Sequence, residues 1–270
     1  MMQDIPYDQP FSEFLIYLRK AYPKAQYGEA FIPIIAHKAT AGYVIQKHFP
    51  ELMPEFMRLN GQFAYAISEP NWGNSPLNIK STLKENTDGT FELYANKSFV
   101  LDGDIGIFVA QKITPLNDEN PAKEAKTFAL VIVDTDCYRT TRTALGTPEA
   151  TYRVDENTYM THYRCEFTVT LHNALFTPIS KREILMLART IVFREQVAYA
   201  VLAYLEAAKY ADMKATLSRV ELLCQRAKEE PGQDDIAVAR EILSASVIRI
   251  LDRTDAHPFW KWLSRFIKPT

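Results

Sequence analysis

The hydrophobic pattern of this chain changes twice along its length, and that change restricts the possible folds more than any other feature. Apolar residues first recur at helical spacing, then alternate with polar residues as in strands with one buried face, and then return to helical spacing. The pattern predicts an α+β protein with three parts. These are a helical N-terminal segment over residues 1–60, a β middle domain over 61–178 and an α-helical C-terminal domain over 179–270.

Local signals predict where several helices begin. Four apolar residues of the first helix share one face, and Ser12 is a candidate cap for it. A second helix is expected over Ala30–Lys47. Ser180 followed by Glu183 forms a capping-box pattern for a long helix reaching about Lys209. The expected buried face of the first helix consists of Phe11, Phe14, Leu15 and Leu18. Further helices are expected over Ala211–Glu230, Ile236–Leu251 and the tail from His257.

Composition excludes several classes of protein. The chain has 270 residues, of which 47% are hydrophobic, and its net charge is −2, which argues against a nucleic-acid-binding protein. Neither a dinucleotide-binding nor a P-loop glycine pattern is present. The three cysteines are scattered, as is typical of reduced thiols. Without an apparent signal peptide or bilayer-length apolar run, we expect a cytoplasmic protein.

Two segments of the β region carry the most specific pattern. The first runs Ser-Glu-Pro-Asn-Trp-Gly-Asn-Ser over residues 68–75, where Gly73 allows close backbone approach and Pro70 fixes the turn. The second runs Ala-Asn-Lys-Ser-Phe-Val-Leu over residues 95–101. Taken alone, the first segment predicts a polar turn between strands. We interpret Glu69 as a turn carboxylate that accepts hydrogen bonds from backbone N–H groups.

Together the two segments resemble the middle-domain signature of the acyl-CoA dehydrogenase family. That family has Thr-Glu-Pro followed by Gly-Ser-Asp, and later Gly-x-Lys with an aromatic residue and a Thr or Ser. The resemblance implies a shortened, divergent member with a β-barrel-like middle domain and a bound FAD. It implies that Ser68 and Phe99 face the flavin ring and that Asn74 donates to a phosphate oxygen. Leu101 stands where the family has a hydroxyl, and it cannot form that hydrogen bond.

The family's catalytic glutamate has no counterpart in this chain. On the register of Arg189 and the residues after it, the position falls on Ala188. The catalytic residue is therefore unknown. Three carboxylates on the same helix are weaker candidates for the base: Glu183, Glu195 and Glu206. Arg189 and Arg194 could meet a CoA phosphate, but an ion pair with Glu195 or Glu206 is the favoured interpretation.

No metal site is predicted. His162 and Cys165 are separated by three positions on an alternating strand, so their side chains point to opposite faces. The tail has an aromatic face and several basic residues, which suits either docking onto a protein surface or contact with a membrane. Docking is favoured over membrane contact because one short segment anchors poorly. The residues of this aromatic face are Phe259, Trp262, Leu263 and Phe266.

The resemblance implies three possible functions. The leading hypothesis is an acyl-CoA dehydrogenase-like oxidoreductase of lipid metabolism that oxidises an acyl-CoA or acyl-carrier thioester at its α and β carbons. The alternative is a catalytically inactive subunit or binding module of the same fold. A weaker alternative is a flavin-dependent oxygenase-like or cyclase-like enzyme. The family relationship also implies an oligomer, either of this chain alone or with a full-length dehydrogenase-like chain.

Overall fold

The computed structural model describes residues 5–70, 75–113 and 127–265. The chain divides into two compact units, and each contains segments that are distant in sequence. Unit 1 consists of Met1–Gly61, Gly146–Thr161 and Thr190–Thr270, and unit 2 of Gln62–Leu145 and His162–Arg189. The α+β class expected from the sequence is confirmed. The three-part division at residues 60 and 178 stays a prediction.

The N-terminal helices of unit 1 follow the apolar pattern closely. Helix α1 buries its four expected residues completely. Helices α2 and α3 are joined by one π-helical segment, His37–Gly42, so that the predicted second helix is continuous from Phe31 to His48. Pro33 lies in its first turn, where a missing N–H costs no helical hydrogen bond. The bounds are α1 Phe11–Ala21, α2 Phe31–Ala36, α3 Tyr43–His48 and α4 Met53–Arg58.

Ser12 does not cap α1, contrary to the sequence-based expectation. The helix begins at Phe11 after Pro10, and no side-chain cap forms there. Instead, the backbone N–H of Phe11 donates to the Glu229 carboxylate, with an N···O distance of 2.6 Å. A distant residue thus satisfies one of the unpaired donors at the start of the helix.

The C-terminal helices agree with the predicted order, with small differences in their bounds. Ser180 and Glu183 form the predicted capping box, with distances of 2.7 Å from the Ser180 N–H to the Glu183 carboxylate and 3.2 Å from the Glu183 N–H to Ser180 Oγ. Helix α5 ends slightly earlier than expected, at Ala207. The bounds are α5 Lys181–Ala207, α6 Lys214–Arg226, α7 Gln233–Leu251 and α8 Pro258–Ser264.

Helix α8 docks onto unit 1, as favoured from the sequence. Phe259, Trp260 and Leu263 are buried in it. The Phe259 ring packs against Tyr199 of α5, with 5.2 Å between ring centroids. Phe266, the last residue of the predicted aromatic face, lies outside the described residues. No helix in the described ranges is long and apolar enough to cross a membrane.

Unit 2 is built on a mixed sheet. Its strands lie in the order β6-β8-β3-β2-β4-β5-β9, and β1 pairs in parallel with the start of β4. The β2–β4 pair is also parallel, whereas the remaining pairs along this path are antiparallel. The bounds are β1 Phe63–Ala66, β2 Thr82–Glu85, β3 Phe91–Leu101, β4 Ile105–Ile113, β5 Thr127–Asp134, β6 Arg142–Ala144, β8 Tyr159–Leu171 and β9 Phe176–Ile179. In unit 1, β7 Thr151–Arg153 pairs with residues 159–161 of β8.

The core of unit 2 lies on the inward faces of these strands, where Leu83, Leu93 and Phe108 are fully buried. Close backbone approach at one point requires a glycine. A Cβ on Gly103 would lie 2.7 Å from the carbonyl oxygen of Gln62, which also accepts a hydrogen bond from Asp104. The start of β4 is therefore held directly against the residue that precedes β1.

Candidate functional site

The two segments that carry the family resemblance lie side by side in unit 2. The backbone N–H of Ser98 donates to the carbonyl oxygen of Ser68 over 2.9 Å. This bond brings the Ser-Glu-Pro segment against the second half of β3. Ser68 and Phe99, two of the three predicted cofactor-binding residues, are thereby brought together. The third, Asn74, lies outside the described residues, as does Trp72.

A buried ion pair fixes this arrangement. Lys97 Nζ lies 2.7 Å from Glu69 Oε1, and the two side chains are 0% and 3% exposed. The ammonium group of Lys97 also donates to the carbonyl oxygen of Val109 on β4, over 2.7 Å. The pair therefore connects the Ser-Glu-Pro segment to both β3 and β4.

Glu69 has the structural role expected from its sequence position. Its carboxylate accepts hydrogen bonds from the backbone N–H groups of Lys80 and Ser81, at 2.6 and 3.0 Å. It also accepts from Ser81 Oγ at 2.5 Å. The interpretation of Glu69 as a turn carboxylate is confirmed. All of these hydrogen-bonding partners are groups of unit 2 itself. Glu69 therefore holds the Ser-Glu-Pro segment in place against them.

The electrostatics of the pair follow from its burial. Burial opposes ionisation of Glu69, but the Lys97 ammonium and the hydrogen bonds to Glu69 hold its pKa below the usual range. Burial lowers the pKa of Lys97 to about 8, although Glu69 opposes this shift. Both groups are therefore charged at neutral pH, and the pair is a true ion pair.

A β-bulge determines where Phe99 points. The pairing of β3 with β8 shifts between Lys97, opposite Cys165, and Val100, opposite Tyr163. Strict alternation from Lys97 would place Phe99 inward, but the extra residue moves it out of the core. Phe99 is 37% exposed, whereas Lys97 and Val100 are buried.

His162 is the partner of Phe99 that sequence reasoning missed. The two rings stack with 3.7 Å between their centroids and 19° between their planes. His162 is buried, and it lies on β8 opposite Leu101. The sequence indicates this histidine only as a candidate metal ligand, because no local sequence pattern predicts that β8 pairs with β3. Within the described residues, no three His, Cys, Asp or Glu side chains are grouped so that they could hold a metal ion.

Leu101 is buried, at 7% exposure, in the position where the family has a hydroxyl. An apolar side chain in a buried position needs no hydrogen-bonding partner. The substitution is therefore compatible with the packing of β3 against β8. Of the residues predicted to bind the flavin, the structure describes Ser68 and Phe99.

The carboxylates of α5 differ sharply in their surroundings. Glu183 belongs to the capping box, and Glu206 accepts hydrogen bonds from Tyr22 and, at 3.0 Å, from Lys209. Glu195 is partly buried, and desolvation alone raises the pKa of its carboxyl to about 7. A carboxyl group with a pKa near 7 is suited to proton transfer near neutral pH. Ala188, where the resemblance places the family's base, has no ionisable group.

The arginine predictions for α5 need one correction. Arg194 pairs with Glu229, at 2.7 Å, and not with Glu195 or Glu206. Its Nε also donates to the carbonyl oxygen of Ala39, at 3.1 Å, and its side chain is 1% exposed. A guanidinium enclosed in this way stabilises unit 1 and is not available to a CoA phosphate. Glu229 lies in the connection between α6 and α7, 35 positions from Arg194, so local spacing does not indicate it as the partner.

Comparison with known proteins identifies the fold. No protein-family model matches the sequence, and no curated protein does. Butyryl-CoA dehydrogenase from Megasphaera elsdenii matches with a TM-score of 0.57 and 16% identity, over 95% of this chain and 76% of that one. Glutaryl-CoA dehydrogenase from Mycobacterium smegmatis, in complex with FADH2, matches with a TM-score of 0.52 and 11% identity, over 85% of this chain and 69% of that one.

A third structure, described as the electron transferring flavoprotein of Acidaminococcus fermentans, matches with a TM-score of 0.53 and 14% identity, over 86% of this chain and 72% of that one. The chain therefore has the acyl-CoA dehydrogenase fold, as the resemblance in its β region implied. At these identities the similarity establishes the fold and not the activity.

Proposed function

We propose that this chain is a flavin-binding protein of the acyl-CoA dehydrogenase fold, with FAD facing Ser68 and Phe99. The observation that carries the proposal is the hydrogen bond from Ser98 to Ser68, together with the bulge that exposes Phe99 beside it. An exposed aromatic ring beside polar backbone groups is chemically suited to a flat heteroaromatic ring. The structurally similar glutaryl-CoA dehydrogenase, described in complex with FADH2, supports this assignment.

The leading activity is oxidation of an acyl thioester at its α and β carbons. A bound flavin would supply hydride acceptance, and the protein must supply a base for the α-proton. The sequence assigns no residue to this role, because Ala188 stands where the resemblance places the family's glutamate. The proposed substrate class follows from the similar butyryl-CoA and glutaryl-CoA dehydrogenases.

The second candidate is a non-catalytic flavin-binding subunit that assembles with another chain of this fold. The observation that favours it is Ala188 at the family's base position, with Glu183 and Glu206 both engaged by neighbouring groups. The buried Glu69–Lys97 pair would maintain the fold in either case.

The first test measures flavin binding. We expect the purified chain to bind FAD, observed by its visible spectrum and by titration of the flavin-free protein. Phe99→Ala should weaken binding by about tenfold, the usual effect of losing one aromatic stacking contact. Tyr159→Ala is the control, since it removes an aromatic side chain that is 57% exposed elsewhere. Absence of FAD binding, or equal weakening in both variants, would contradict the proposal.

The second test separates the two candidates. Butyryl-CoA added to the FAD-bound protein without oxygen should bleach the flavin if the chain is a dehydrogenase. Bound flavin that butyryl-CoA leaves oxidised would favour the non-catalytic subunit or the oxygenase-like enzyme over the dehydrogenase.

A further inference from the structure

A cleft in unit 1 has a lining that suits a positively charged ligand. Its volume is about 400 Å³, within the range of small-molecule sites. Three carboxylates line it, those of Glu29, Glu206 and Asp255, and the described lining includes neither lysine nor arginine. Buried aromatic side chains of Tyr22 and Trp260 complete two of its walls. The cleft lies entirely in unit 1 and shares no residue with the candidate flavin surface of unit 2.

His257 of the lining is held by two backbone groups. Its Nδ1 accepts a hydrogen bond from the Phe259 N–H at 3.1 Å. Its Nε2 lies 3.2 Å from the carbonyl oxygen of Thr151.

The protein's own cations show how this region holds a positive group. Lys209 donates to Glu206 and lies 4.2 Å from the centroid of the Tyr22 ring. Arg253 pairs with Asp255 at 2.5 Å and stacks on Tyr210, with its guanidinium carbon 3.5 Å from the ring centroid. Both cations therefore use one carboxylate and one aromatic face, which is the combination that also binds ammonium ligands.

Glu29 is the lining carboxylate that these internal cations leave unpaired. Its hydrogen bond joins Oε1 to the backbone N–H of Arg153, at 3.2 Å. The salt bridges of the described residues do not include it. We infer that the cleft binds a small organic amine in its protonated form, with the ammonium group on Glu29 and its carbon chain against Trp260.

The test uses the full chain without added flavin, so that its result is independent of the proposed flavin site. Putrescine is titrated into the protein at low ionic strength and followed by calorimetry, beside the neutral diol of the same length. We expect putrescine to bind and the diol not to bind. Equal affinity for the two compounds would overturn the inference.

Two substitutions locate the binding. Glu29→Gln keeps an oxygen for the Arg153 N–H and should weaken putrescine binding by about tenfold, as expected for loss of one charge-assisted hydrogen bond. Thr254→Lys, at an exposed position of the lining, places a cation in the cleft and should abolish binding. Glu156→Gln is the matched control, since it removes the same charge from an exposed position outside the lining.

Each variant is first compared with the original chain by thermal unfolding, so that loss of fold is recognised separately. An equal effect of Glu29→Gln and Glu156→Gln would indicate a general response to surface charge and would overturn the inference. Unchanged putrescine affinity in Thr254→Lys would overturn it as well.

Discussion

The ammonium group of Lys97 lies 2.7 Å from the carboxylate of Glu69, and both side chains are buried although the residues are 28 positions apart in sequence. Each residue belongs to one of the two segments that resemble the acyl-CoA dehydrogenase signature. Their contact accounts for the joint occurrence of these segments by stability alone, before any cofactor is considered. Part of what resembles a binding signature is therefore a requirement of the sheet.

Lys97→Met should be strongly destabilising. It leaves the Glu69 carboxylate buried without its counter-ion, and losing one partner of a buried pair costs about 3–5 kcal/mol. Adding Glu69→Gln should recover part of the loss, because the remaining charge is then removed. Urea unfolding measures both changes in the free energy of unfolding.

Arg139→Gln is the control for that experiment. It breaks an ion pair with Asp136 whose two side chains are 58% and 78% exposed. Such a pair contributes less than about 1 kcal/mol. Similar losses for Arg139→Gln and Lys97→Met would contradict the structural role of the buried pair.

Ser180→Ala should weaken the start of α5. The Ser180 hydroxyl accepts the hydrogen bond from the Glu183 N–H, and removing such a cap costs about 1 kcal/mol. Ser218→Ala, at an exposed position inside α6, removes a hydroxyl without removing a cap and should be close to neutral. The comparison is made by thermal unfolding, and equal shifts in Tm would show that the cap is unimportant.

Ionisation of Glu195 should lower the free energy of unfolding as the pH rises from about 4.5 to 7. Burial raises its pKa from the usual 4.5 to about 7, so in this window the unfolded chain loses a proton that the folded chain keeps. Glu195→Gln should therefore match the original chain near pH 4.5. Above pH 7 it should exceed the stability of the original chain by an amount on the order of 3 kcal/mol.

Urea unfolding at a series of pH values measures that difference. Glu156→Gln, at an exposed position, should follow the original chain throughout. A constant difference between Glu195→Gln and the original chain across the series would mean that the Glu195 carboxyl is not desolvated.

Gly61→Ala should destabilise unit 1. The φ angle of Gly61 is 73°, and an added Cβ would lie 2.4 Å from the Tyr7 ring. Backbone strain of this kind alone costs about 1–3 kcal/mol. Gly89→Ala has a similar φ of 80° but no atom within 4 Å of the added Cβ, so comparing the two variants by thermal unfolding separates strain from steric overlap. Equal losses would show that contact with Tyr7 contributes nothing.

Features that depend on neighbouring residues could be predicted from the sequence, whereas features that depend on distant pairing could not. The buried face of α1 and the Ser180 capping box follow from local spacing and were predicted correctly. The bulge after Lys97 depends on the register of β3 against β8, and no local pattern encodes that register. Stacking of His162 on Phe99 was missed for the same reason.

The prediction of an ion-pair partner for Arg194 was wrong for a similar reason. Glu195 and Glu206 were considered because they lie on the same helix, but the guanidinium is enclosed by groups from three different parts of unit 1. Resemblance supplied what periodicity could not, because it predicted that two separated segments would lie together. The hydrogen bond between Ser98 and Ser68 is consistent with that prediction of proximity, whereas their predicted role toward a flavin remains to be tested.

The hydrogen bond between Phe11 and Glu229 has a consequence for how the chain is synthesised. The two residues are 218 positions apart, so α1 emerges from the ribosome long before the carboxylate that completes its first turn. During that interval, the apolar face of α1 has no finished core to cover it, because unit 1 also requires residues Thr190–Thr270. We expect nascent chains truncated before residue 229 to be sensitive to proteolysis at α1 and to engage chaperones there. Helix α1 is thus vulnerable until the segment around Glu229 has been made.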